Sequence, residues 1–314
     1  MLALVSRLSA SPWLMSREHV QSYLPMLAAL FMGNALHAPA TDLAELRAAA
    51  APKDYQVEVR GSGLVTYGAR VQAAAGATGA SNDDAILVRV MGLSGPLMKA
   101  DQECGPRGLM SLASDLQRSA KDADIHAVLL RIDSPGGQVF GTQSVVDGVK
   151  ACQAAGKPVV ALCEDGLMCS AAYWIGSTAD SIIATHETCT IGSIGIMATW
   201  MDVQPALEAM GVVFHEVYAK QSSQKNADFA AATKGDYSAI QANLTAMADG
   251  FLSHVRTSRA GSLDEKLFVK SGAAAGKTFF ASQAGEIGLI DAMGSFQDAL
   301  GECVRLVQQN RASK

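Results

Sequence analysis

The chain has 314 residues, 49% hydrophobic and 18% charged, with a net charge of −5 and 29 glycines. That composition supports a large buried core and excludes a globally disordered chain, while an acidic balance without any Lys/Arg run excludes a dedicated nucleic-acid surface. No apolar run reaches the 18 residues that a membrane-spanning helix needs, so no stable membrane anchor is expected.

Residues 1–84 read as an N-terminal helical extension with a flexible linker. Ser16-Arg-Glu-His-Val and Thr41-Asp-Leu-Ala-Glu-Leu-Arg both open as capped helices do. The apolar stretch before Ala38-Pro39-Ala40 has the texture of a leader, but Glu18 and His19 ahead of it suit a short amphipathic helix better. Tyr55-Gln-Val-Glu-Val-Arg60 alternates as a strand does. Residues 73–84 are small, polar and Gly-containing, which predicts a linker and a domain boundary near residue 84.

From Ala85 the texture changes. Strands are predicted at Ala85–Met91, Ala127–Ile132, Pro158–Cys163 and Ser181–Ala184, with helices at Leu109–Lys121, Thr142–Ala155 and Ser170–Gly176 between them. A further strand is predicted at Val212–Tyr218, a long helix at Tyr237–Arg259, a short element at Leu267-Phe-Val and a closing helix at Phe296–Gln308. Strands alternating with helices imply an α/β fold with largely parallel strands over 85–314. The six cysteines have neither C-x-x-C nor His-paired metal spacing, so they read as small buried hydrophobes in a reducing compartment, with no metal site.

Three stretches could carry chemistry. Asp133-Ser-Pro-Gly-Gly137 follows an apolar strand, and two glycines after a proline leave backbone N–H groups unobstructed, as an oxyanion requires. An ordinary strand-to-helix turn would look the same. Glu164-Asp-Gly-Leu-Met-Cys-Ser170-Ala-Ala-Tyr-Trp174 also follows a strand and puts Ser170 at a helix start, where it is either a plain N-cap or a nucleophile with small neighbours. Thr190-Ile-Gly-Ser-Ile-Gly-Ile196 sets Ser193 between glycines, suited to close backbone approach or to a tight packing bend.

Taken in order, Arg131-Ile-Asp-Ser-Pro-Gly-Gly137, Cys169-Ser-Ala-Ala-Tyr-Trp174, Gly192-Ser-Ile-Gly195 and Gly285-Glu-Ile-Gly-Leu-Ile-Asp291 resemble the S49 peptidases, the signal-peptide-peptidase-A-like serine proteases and their phage relatives. The resemblance implies a ClpP/crotonase-like fold for residues 85–314, Ser170 as nucleophile, a lysine general base, and an oxyanion and substrate site at Gly136, Gly137, Ala171 and Ser193. A serine hydroxyl needs a base within hydrogen-bond reach. The window some 25 residues after Ser170, where a ClpP-like triad keeps its histidine, holds none; His186 and His215 are expected on the surface or at strand ends. Family members carry the lysine about 50 to 55 residues after the serine, which fits both Lys220 and Lys225. The polar, acidic-containing turn after Lys225 favours it, although the family's Gly-x-x-Lys pattern is missing. Such a lysine becomes a base near neutral pH only when desolvated beside the serine.

Gly272-Ala-Ala-Ala-Gly-Lys277-Thr278 imitates a phosphate-binding loop but has three residues between its glycines where four are required, so neither nucleotide nor any other cofactor is expected. The chain's opening resembles the phage and prophage branch, whose members process scaffold and head proteins during procapsid maturation. That implies peptide substrates, a homo-oligomer and a location in the host cytoplasm or procapsid. The alternatives are a cellular signal-peptide-peptidase-like protease, a crotonase-type acyl-CoA enzyme, and a catalytically silent head component.

Overall fold

The computed structural model describes residues 13–14, 54–60, 64–68, 85–102, 105–200 and 202–313. The helices expected before residue 50 and the linker at 73–84 lie outside the described residues. Among the described residues the first elements are the strands β1 (Trp13–Leu14), β2 (Tyr55–Arg60) and β3 (Leu64–Gly68). In β4 (Ala85–Ser94) half-buried and buried residues alternate over the first six positions, the period of a pleated strand. Helix α1 (Leu109–Lys121) buries Leu109, Leu112, Ala113 and Leu116, a single stripe at helical spacing.

Strand β5 (Ala127–Ser134) is buried on both faces along its first four residues, as a central parallel strand must be. The two-residue β6 (Gly137–Gln138) and helix α2 (Thr142–Ala154) follow. Strand β7 runs Val159–Cys169, six residues past the expected Cys163, and delivers the chain to α3 (Ala171–Gly176). Then come β8 (Ser181–Ala184), β9 (Thr190–Gly192), α4 (Gln204–Ala209), α5 (Ala227–Ala232) and the long α6 (Ser238–Ser258). Helix α7 (Glu265–Lys270) contains the expected Leu267-Phe-Val element, and β10 (Thr278–Phe280), α8 (Ala281–Ile287), β11 (Ala292–Met293) and α9 (Phe296–Ala312) complete the chain.

Among the described residues the main sheet has nine strands, in the order β10-β9-β7-β5-β4-β2-β3, with β8 also on β7 and β11 on β8. The centre is parallel: β4 to β5, β5 to β7, and β7 to both β8 and β9. Antiparallel pairs are confined to β2–β3, β2–β4 and β9–β10. The expected α/β class with largely parallel strands is therefore the one observed. Because β2 pairs with β4 from Tyr55 to Arg60, the sheet draws in chain from the N-terminal side of residue 84.

Each face of the sheet buries its own cluster. On one side Met91, Val128, Leu130, Ile132 and Ala161 pack under residues of α1, α2, α3, α6 and α8. On the other, Val57, Val88, Leu129, Val160 and Leu162 lie against Ala299, Leu300, Cys303 and Val307 of α9. Cys152, Cys163, Cys169, Cys189 and Cys303 are free and buried, as their apolar flanks predict; Cys104 lies outside the described residues.

One expected element is corrected. Residues 212–218 form no strand; they are irregular, with Val213 67%, Phe214 61% and Val217 94% exposed. Their β-branched and aromatic residues suit a strand, but a strand needs a neighbour to pair its backbone groups, and among the described residues there is none on that stretch.

Candidate active site

The site is built where β7 ends. Between Ile132 and Ser134 the register of β5 against β7 shifts, and the distal part of β7 pairs with β9, Cys169 opposite Gly192. The next residue is Ser170, whose backbone N–H donates to the Gly192 carbonyl (2.8 Å) and whose carbonyl accepts from Trp174 N–H (2.8 Å), the first bond of α3. Between those two anchors its φ is 56° and ψ −120°. L-residues rarely occupy that region, and one held there stores strain of order 1–3 kcal/mol. Helix α3 receives no side-chain cap from Ser170, so the plain N-cap reading does not account for the residue. The serine is 1% exposed and flanked by the buried Ala171 and Ala172. Its neighbour Cys169 is held as a thiol, because burial pushes its pKa up to about 12. A sharp strand-to-helix turn of this kind is how a nucleophilic serine is presented on other α/β scaffolds.

The Asp133–Gly137 turn lies beside it, since α3 contacts both β5 and β6. Gly136 has φ 100°, and a Cβ on Gly137 would fall 2.1 Å from the Leu97 carbonyl oxygen, so both positions require glycine. The turn is tied down by Leu97 N–H to the Gly136 carbonyl (2.9 Å) and Gln138 N–H to the Leu97 carbonyl (2.8 Å). Ser134 Oγ accepts the Gly136 N–H (3.1 Å) and donates to the Gly95 carbonyl (2.7 Å). The Gly136 amide is thus occupied within the turn. Ala171, first residue of α3, has an N–H with no acceptor inside the helix.

Residues 151–310, half of the chain, match the family model described as Peptidase family S49. The chain belongs to peptidase family S49. It is 30% identical over 226 residues to Protease 4 of Haemophilus influenzae, covering 71% of this chain and 35% of that one. Protease 4 of Salmonella typhi is 28% identical over 222 residues, 70% of this chain and 35% of the other. Capsid assembly protease C of Escherichia phage lambda is 32% identical over 136 residues, 42% of this chain and 30% of the other. The chain thus spans about a third of the length of these curated S49 relatives.

The other expected site residues fall in two groups. Ser193, half-buried with φ 54°, gives its N–H to the Lys277 carbonyl (3.1 Å) and so fixes the Gly192 carbonyl that holds Ser170. Lys277, part of the stretch that imitates a phosphate loop, thereby ties down this turn through its backbone carbonyl. By contrast Lys220 and Lys225 are both exposed and neither hydrogen-bonds to Ser170. They sit in 202–237, a segment with one buried residue, Ala232, and many exposed large side chains, Met210, Val213, Phe214, Val217, Phe229 and Tyr237 among them. His186 and His215 are exposed, as expected. Among the described residues no helix is long and apolar enough to cross a membrane, and no group of three His, Cys, Asp or Glu could hold a metal.

Sequence reasoning missed the brace behind the serine. Tyr173 of α3 is fully buried and donates its hydroxyl to the Leu289 carbonyl (2.9 Å). Arg259 closes that loop with bonds to Asp291 (2.7 and 3.0 Å) and to the Gly288 carbonyl (3.1 Å), while Asp291 accepts the Ile182 N–H (2.7 Å). Asp291 ends the fourth motif, so its signal was present. Its partners lie 32 and 109 residues away, a distance no local pattern reports.

Proposed function

We propose that this chain is a serine endopeptidase in which Ser170 is the nucleophile and Lys225 the general base. The observation that carries the reading is the strained backbone of Ser170, held between β7 and α3 beside the Gly136–Gly137 turn. In the proposed step the Lys225 amine takes the Ser170 hydroxyl proton as Oγ bonds to the substrate carbonyl carbon. The charge developing on the carbonyl oxygen is held by the N–H groups of Gly137 and Ala171, donors that need no reorganisation during the reaction. The proton then passes to the departing amine, and water hydrolyses the Ser170 ester.

Both lysines are exposed here, so the proposal includes movement of residues 202–237 over the serine on assembly of a homo-oligomer. That assembly would bury Val213, Phe214 and Val217, whose exposure is otherwise costly, and would desolvate the amine. The substrates we propose are scaffold or head proteins of a phage procapsid, a reading supported by the similarity to capsid assembly protease C. The site would then act in the host cytoplasm or the procapsid, on residues 85–314 as the peptidase domain.

The test is cleavage of an unfolded polypeptide by the wild type and by Ser170→Ala, Lys225→Ala and Lys220→Ala. The reading expects the first two variants to be inactive with unchanged thermal unfolding, and the third to be active. A Lys220→Ala variant that is dead beside an active Lys225→Ala transfers the base to Lys220. Full activity of Ser170→Ala removes the mechanism altogether, and acyl-CoA turnover without peptide cleavage would favour the crotonase alternative.

A further inference from the structure

The short strand β6 contacts α3, the helix that follows Ser170, and it is not bare. Trp13 and Leu14, the two residues of β1, pair with it antiparallel, Trp13 opposite Gln138 and Leu14 opposite Gly137. On its other side β6 is held by Leu97, which donates to the Gly136 carbonyl and accepts from the Gln138 N–H. Backbone groups alternate along a strand. If residues 136 and 138 direct those groups to Leu97, the N–H and C=O of Gly137 face the opposite edge, where Leu14 is the register partner. The carbonyl presented to the Gly137 amide is therefore that of Leu14.

An extended segment added to a free sheet edge is how a peptide is gripped through its backbone. Antiparallel pairing also fixes direction: from Trp13 to Leu14 the segment runs towards the Gly136 turn and α3, which contacts β6. Among the described residues Leu14 is the last one paired. It is apolar, and the bond that follows it joins Leu14 to Met15.

We propose that the segment through Trp13 and Leu14 is the enzyme's own first substrate, cut at the Leu14–Met15 bond. This rests on the peptidase reading and adds to it the identity of one cleavage site. Ser170 Oγ bonds to the Leu14 carbonyl carbon, the C–N bond to Met15 breaks, and the proton taken from the serine leaves on the new Met15 amine. Water then hydrolyses the ester, releasing the segment that ends in a Leu14 carboxylate and freeing the β6 edge for other peptides.

The experiment follows the intact mass and N-terminal sequence of the full chain over time, beside fluorophosphonate labelling of Ser170 and cleavage of an unrelated unfolded polypeptide. The wild type is expected to convert to a chain starting at Met15, and Ser170→Ala to stay at full length. The double variant Trp13→Pro, Leu14→Pro, which cannot form the β1 pairing, should convert at least tenfold more slowly while cutting the unrelated polypeptide at an undiminished rate. A wild type that is labelled and cuts the polypeptide but keeps its N-terminus, or loses it at another bond, overturns the proposal and leaves the peptidase reading standing. So does a double variant that converts at the wild-type rate. A wild type that is neither labelled nor active removes the peptidase reading, and this proposal with it.

Discussion

Replacing Ser170 with glycine and with alanine separates the cost of its backbone from the value of its hydroxyl. Both substitutions delete the nucleophile, so both are expected to be inactive. They differ in what they do at φ 56°, ψ −120°. Alanine keeps a Cβ and the strain, of order 1–3 kcal/mol, whereas glycine takes up the conformation without it. Against that gain, glycine gives the unfolded chain extra freedom, which costs about 0.5–1 kcal/mol. The difference leaves Ser170→Gly more stable than Ser170→Ala by ~1 kcal/mol, or about 2–4 °C in Tm for a domain of this size. Calorimetry and urea unfolding of the two variants read it directly. If Ser170→Ala is as stable as Ser170→Gly or more so, the serine is not held under strain, and its main structural distinction from a plain helix start is lost.

Gly137→Ala places a Cβ 2.1 Å from the Leu97 oxygen, so the turn must shift and its amide loses its aim; peptide cleavage should fall by about 10²–10³ in kcat. The matched control is Gly250→Ala in α6, where a Cβ meets nothing within 4 Å; thermal unfolding should show a gain of about 0.5–1 kcal/mol and assays no change in kcat. Asp291→Ala strips the buried Arg259 of its carboxylate and should cost about 3 kcal/mol in urea unfolding, more than a surface substitution by several-fold. His254 is kept neutral in the fold because burial, seconded by the Lys150 charge, lowers its pKa to about 4. Between about pH 6.5 and 4 the unfolded chain therefore binds the extra proton, and stability is lost as pH falls through that window. The group is partly open to solvent, so the loss should be only ~1–2 kcal/mol, and a His254→Gln variant should show a correspondingly flatter Tm profile there.

How much of this was legible in the sequence depended on how local the cause was. Helix 109–121 and strand 181–184 were readable to the residue, because the stripe Leu109, Leu112, Leu116 and the run Ser181-Ile-Ile-Ala184 declare their own periods. Strand 159–169 was cut short at Cys163 because Glu164-Asp-Gly166 is polar. It continues because Leu167–Cys169 find β9, and because the Asp133 carboxylate accepts the Leu167 N–H (3.0 Å) across the gap. Residues 212–218 failed in the opposite sense: the pattern was a strand's, but a pattern supplies no partner. At the site, Ser170 and the Gly136–Gly137 turn could be picked out because each lies in a motif that opens after a predicted apolar strand. Neither the Gly192 carbonyl that pins the Ser170 amide nor the Tyr173–Leu289 bond could be seen, because both depend on chain segments brought together by the sheet.

The central claim is that Ser170 is an activated nucleophile. Incubating the full chain with a fluorophosphonate and mapping the adduct by peptide mass spectrometry tests it most directly. The account predicts one phosphonylated residue, Ser170, and no adduct in Ser170→Ala. An unlabelled chain that nonetheless cuts polypeptide, or a label carried by another serine, would contradict it.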